Sequence, residues 1–148
     1  TICKMKTRFF SIAIIFASFF LSLYRIISDS NEIILHWDFL GNVTKYGDRY
    51  AIIFLPIISI VLYVVLNYYK KNPFKMLRIK KFAHCDENFN LLSSYIQVIT
   101  PIVLLVILYI AACSAQYISL IPWVIYFFIA FIIAYYIYVS NKLIKNRT

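Results

Sequence analysis

Three side chains in this sequence could, by type and spacing, hold a metal or move a proton. His36, Asp38 and Asp48 lie within one short stretch, Leu35 to Arg49, reading LHWDFLGNVTKYGDR. Histidine titrates near neutral pH, so paired with a carboxylate it suits acid–base work or metal ligation. All three come from one stretch, with no nucleophile motif beside them and no second cluster elsewhere. A membrane-surface enzyme or metal-binding protein using His36, Asp38 and Asp48 is therefore the alternative reading. The first expectation is no catalytic residue, no metal and no cofactor. His84 next to Cys85 supplies two further ligands, too few for a tetrahedral set.

The same stretch holds both glycines of the chain, Gly41 and Gly47, with Asn42 and Asp48 beside them. Glycine serves where the backbone turns tightly or takes positive φ, so a compact folded loop is expected. His36, Trp37, Phe39 and Tyr46 surround the glycines, and an amphipathic layer lying on a membrane surface is a sensible use of them. In the plainest reading, His36 and Asp38 only bond loop backbone and Trp37 only sits among headgroups.

The elements that must position this loop follow from composition. Of the 148 residues, 63% are hydrophobic and 14% charged, well outside the range of soluble domains. The apolar residues form four long blocks, at about 9–27, 50–69, 91–113 and 117–139. Each is about twenty residues, which at about 1.5 Å rise per residue spans a hydrocarbon core about 30 Å thick. Helix is the fold that pairs every backbone polar group there. The expectation is an all-α integral membrane protein, one domain over 1–148 with four transmembrane helices. The loop at 28–49 lies outside the cytoplasm and a basic loop at 70–90 inside it. The first block is expected to be an uncleaved anchor, since it is long for a signal peptide and no cleavage site of small residues follows it.

The net charge of +9 does not point to nucleic acid, because the cations flank the apolar blocks and form no separate basic domain. Lys4, Lys6 and Arg8 precede the first block. Lys70, Lys71, Lys75, Arg78, Lys80 and Lys81 lie between the second and third, and Lys142, Lys145 and Arg147 follow the fourth. The two remaining connections are not enriched in positive charge. This alternation places both termini in the cytoplasm. The inner loop is expected to lie on the leaflet, its lysines meeting anionic lipid; a protein-docking surface is the sharper alternative. No ionisable residue other than Tyr or Cys falls in the middle of a block, which argues against a pump. Pro56, Pro101 and Pro122 are expected within helices, as kinks. Ser59, Ser94, Gln97 and Thr100 are expected to bond between helices. Cys3, Cys85 and Cys113 are expected to be unpaired.

The outer loop resembles the N-terminal membrane domain of the SdpI family, bacterial proteins named for an immunity protein against a secreted killing factor. The matching positions are His36, Trp37, Gly41, Tyr46 and Gly47, then Leu55 and Pro56 early in the next helix. Ile34, Asp38, Asp48 and Arg49 depart from the family pattern. The likeness covers about 31–67, and the further membrane domain of longer members has no counterpart here. It implies a multi-pass protein of a bacterial inner membrane, whose molecular activity is unknown. Its job would be immunity, sensing or an accessory role, with a peptide toxin or membrane protein bound through His36, Trp37, Gly41, Tyr46 and Gly47. A structural subunit of a membrane complex is the remaining alternative.

Overall fold

The computed structural model describes residues 2–76 and 85–145, with side chains described from Lys6 to Lys75 and again from Cys85. Helix α1 spans Ile2–Ser28, then strands β1 (Ile33–Trp37) and β2 (Val43–Gly47) follow. A 3-10 turn over Arg49–Ile53 leads into α2 (Phe54–Lys71) and a short α3 (Pro73–Met76). Helices α4 (Asp86–Ser114) and α5 (Pro122–Lys145) complete the chain. Among the described residues, four helices are long and apolar enough to cross a membrane, over Lys6–Ser28, Arg49–Lys71, Asp86–Ser114 and Pro122–Lys145.

The fold is mostly helical but not all-α. The loop expected at 28–49 is an antiparallel hairpin in which Ile33 faces Gly47, Ile34 faces Tyr46, His36 faces Lys45 and Trp37 faces Val43. Two register irregularities fall in this short ladder. β-Branched and aromatic residues suit a pleated surface, and with Gly41 to turn the chain they outweigh the helical habit of the rest.

The helices differ from the expected blocks mainly at their ends. Helix α4 starts at Asp86 rather than near 91, with Asp86 and Glu87 in its first turn, where the helix dipole favours negative charge. Helix α5 starts at Pro122 rather than near 117 and runs to Lys145. Pro122 therefore sits at the first helical position, where its missing N–H and fixed φ do no harm. Pro56 likewise lies in the first turn of α2. Pro101 is the proline inside a helix, α4, where it leaves the Gln97 carbonyl without its helical donor.

Helix α4 is central, packing against α1, α2 and α5. Helix α1 buries a stripe of Ser11, Ile14, Ser18, Ser22 and Arg25, spaced at helical repeats so that they share one face. The hydroxyls of Ser18 and Ser22 have no hydrogen-bond partner; small size, which lets helices approach closely, is what these positions use. The expected bonds between helices are mostly absent. Ser59 and Thr100 instead donate to Leu55 and Ile96 in their own helices, as hydroxyls in apolar helices readily do. Gln97 does reach across, to Thr7 of α1.

The largest apolar cluster joins the start of α4 (Leu92, Tyr95, Ile96, Ile99) to the end of α5 (Val139, Leu143). A second joins Ile33 of β1 to Ile52 and Ala115, and seats the hairpin on the bundle. Of the basic residues expected at 70–90, Lys75 donates to the Tyr68 hydroxyl at 3.0 Å. That bond raises the Lys75 pKa above its ordinary value. Arg78, Lys80, Lys81 and His84 lie outside the described residues, as does Arg147. Cys85 and Cys113 are free thiols.

Candidate functional site

The candidate site is the hairpin and the bundle end on which it sits. Its foundation is Arg25, in the last turn of α1 and 1% exposed. Arg25 Nε donates to the Ala115 carbonyl at 3.0 Å, and Nη2 donates to the carbonyls of Asn31 and Glu32 at 3.4 and 3.3 Å. Nη1 forms an ion pair with Asp29 at 2.8 Å, close but poorly aligned for a hydrogen bond. A buried charge is tolerated only when paired in this way. One guanidinium thus ties the end of α1, the start of β1 and the end of α4 together.

The end of α4 reaches back. Ser114 Oγ donates to the Ile34 carbonyl at 2.6 Å and Gln116 Nε2 to the Glu32 carbonyl at 2.9 Å. Gln116 stands at φ +63°, the left-handed position that usually ends a helix with glycine. The Tyr117 amide donates to Ala112 O and the Gln116 amide to Cys113 O, which completes the Schellman pattern. A non-glycine residue is strained there by about 1 kcal/mol. Its side chain holds the hairpin, which glycine could not do.

At the other end of the hairpin, Asp38 organises the turn. Its Oδ1 accepts from the amides of Leu40 and Asn42 at 2.9 and 2.8 Å, and its Oδ2 from the Asn42 side-chain amide at 2.9 Å. The Asn42 side chain, then the Asn42, Leu40 and Gly41 amides, hold the Asp38 pKa below its ordinary value. Gly41 has φ +89°, and a Cβ there would stand 2.9 Å from Pro122 Cγ and 3.3 Å from the Leu120 carbonyl. The turn therefore presses on the start of α5, where Tyr126 Oη donates to the Phe39 carbonyl at 2.8 Å. Gly47 is needed for space, since a Cβ there would run into the Leu35 side chain.

His36, Asp38 and Asp48 are not brought together. His36 Nδ1 bonds Thr44 Oγ1, and that hydroxyl donates to the His36 carbonyl. The ring Nδ1 is then the donor, which leaves Nε2 to accept. Asp48 caps the 3-10 turn through the Tyr50 amide at 2.9 Å. Among the described residues, no group of three or more His, Cys, Asp or Glu side chains is placed to hold a metal ion.

Trp37 and Gly41 border the same cavity. With Ile34, Val43, Cys113 and Tyr117 they line a cavity of about 320 Å³ between the hairpin and the α4–α5 connection, at the small end of the range for ligand pockets. Tyr46 is exposed on β2 and Phe39 and Leu40 at the tip are 88% and 81% exposed. Ile121 and Trp123, flanking the Pro122 that the turn approaches, are exposed as well. Sequence reasoning missed Arg25 and Gln116, whose partners lie 90 and 84 residues away. The arrangement offers exposed apolar side chains on a hydrogen-bonded base, with no cluster of metal ligands among the described residues. Comparisons with protein-family models, with curated proteins and with solved structures find no match for this chain.

Proposed function

We propose that the chain is a four-span protein of a bacterial inner membrane, of the SdpI type, with both ends in the cytoplasm. Its hairpin then stands on the outer side and binds a peptide or a membrane-protein partner, in an immunity, sensing or accessory role. The observation that carries this reading is a hairpin held at its base by Arg25 and Gln116 while its tip presents Phe39 and Leu40 to the surroundings. A fixed scaffold with exposed apolar anchors lowers the ordering cost of binding. The alternation of basic segments supports the orientation.

The test compares protection of cells from a secreted peptide toxin, and capture of cross-linked partners, between the natural chain and variants. Phe39→Ser with Leu40→Ser, and separately His36→Ala with Trp37→Ala, should abolish both while carbonate-resistant membrane insertion persists. Full protection and unchanged capture in both pairs would refute the contact role. A protease reaching a C-terminal tag from outside intact cells would refute the orientation.

The exposure of α5 favours a second reading, a subunit of a larger complex. Only 6% of its apolar span is buried, and Phe127, Phe131 and Tyr138 stand exposed along it. Photo-cross-linkers at these positions should capture lipid alone if α5 faces the bilayer, and a protein if it faces a partner.

A further inference from the structure

At the end of the bundle away from the hairpin, the starts of α1 and α4 and the end of α2 stand around an open cavity of about 650 Å³. Arg8, Lys70 and Lys71 line it, with no carboxylate among the described lining residues. Farther along the helices its wall is hydroxyl and amide. Among these is Tyr63, whose hydroxyl is buried without a hydrogen-bond partner. Buried hydroxyls ordinarily find one. Cationic side chains lining a cavity beside neutral donors favour an oxyanion, and phosphate accepts both charged and neutral donors at once.

An apolar groove of about 1000 Å³ lies alongside, between Phe9, Phe10, Val98 and Ile102. Thr7 and Gln97 belong to both walls, and Gln97 Nε2 donates to Thr7 Oγ1 across a long 3.4 Å. A cationic chamber and an apolar groove sharing one weakly bonded partition match the two halves of an anionic phospholipid. We propose that this end of the bundle is a phospholipid-binding site, the phosphate held by Arg8, Lys70 and Lys71 and an acyl chain laid along the groove. The inference rests on the membrane placement proposed above, which puts these helix ends in the inner headgroup layer.

The test is native mass spectrometry of the full chain, released from detergent after incubation with phosphatidylglycerol, phosphatidylcholine or inorganic phosphate. Phosphatidylglycerol should be retained about tenfold over phosphatidylcholine, and Arg8→Gln with Lys71→Gln should remove that preference. Lys142→Gln with Lys145→Gln, an equal charge loss on α5, should leave it intact. Tyr63→Phe should weaken retention about threefold, the loss of one hydrogen bond. Equal loss in both charge pairs would overturn the proposal, because net charge alone would then explain retention. Phosphate binding that depends on Arg8 and Lys71, without retained lipid, would overturn it in favour of a small free anion. If the double variant does not insert, Tyr63→Phe and the salt dependence of wild-type retention decide, and insensitivity to both refutes the site. A chain that stays soluble without detergent would instead sink the membrane placement.

Discussion

At the hairpin end, a single arginine is sealed from solvent and surrounded by carbonyls and a carboxylate. At the opposite end, Arg8, Lys70 and Lys71 line an open cavity with no carboxylate among its described lining residues. Positive charge is sealed and structural in one place and lines an open cavity in the other. Burial makes the difference. A sealed charge must be paired, and its pairing fixes the backbone around it; a charge at an open rim keeps its hydration and can exchange partners. One end of this bundle holds its shape through a sealed charge, and the other carries its cations at an open cavity.

The largest effect should come from breaking the sealed end. Arg25→Ala leaves the Ala115, Asn31 and Glu32 carbonyls without their charged donor, a loss of about 2–3 kcal/mol. Hydrogen exchange in lipid nanodiscs should show the amides of β1 and β2 opening together while α2 stays protected. If the hairpin keeps its protection, Arg25 is not its foundation. Next comes Gly41→Ala, in which positive φ and the approach to Pro122 combine for about 1–3 kcal/mol of strain. A lowered melting temperature and a hairpin newly open to protease should follow. Gly47→Ala should cost less, because the Leu35 side chain it meets is partly exposed and can turn away.

Asp38 sharpens the comparison through pH. Its folded pKa lies below the ordinary value, so the stability it gives is present above the unfolded pKa. That stability is lost as pH falls through the folded one. Exchange at Leu40 and Asn42, taken relative to the intrinsic rate at each pH, should hold steady from neutral pH down to the usual carboxylate range and rise only below it. In Asp38→Asn that rise should vanish. The smallest effect belongs to the open end: Arg8→Gln with Lys71→Gln should change thermal stability by no more than about 0.5 kcal/mol. A large loss there would mean that these cations, too, are structural.

The helices were legible because each is a long apolar run, and runs are local. Their ends were less so. Asp86 to Asn90 read as loop because they are polar, yet they form the first turns of α4, and Pro122 marks a helix start that the apolar run itself conceals. Of the outer loop, the glycines announced turns, and Gly41 does take positive φ. The strands did not announce themselves, since five residues each, with two irregularities in the pairing, leave too little alternation to read. The role of Arg25 was hidden because its burial depends on Ala115, 90 residues away, while its other partners are backbone carbonyls and Asp29 just after the helix. The chamber at the other end was hidden for the same reason: Thr7, Tyr63 and Gln97 lie on three helices. The serines of α1, falling on one face at positions 11, 18 and 22, were the available hint of a close helix–helix contact.

The central place of α4 has a consequence for biosynthesis. Helices α1 and α2 touch each other far less than each touches α4. A ribosome that has not yet delivered Asp86 to Ser114 therefore leaves the first two spans as neighbours without a common partner. Assembly must wait for the third span and then close around it, and a nascent chain stalled earlier should be an early target for membrane proteases.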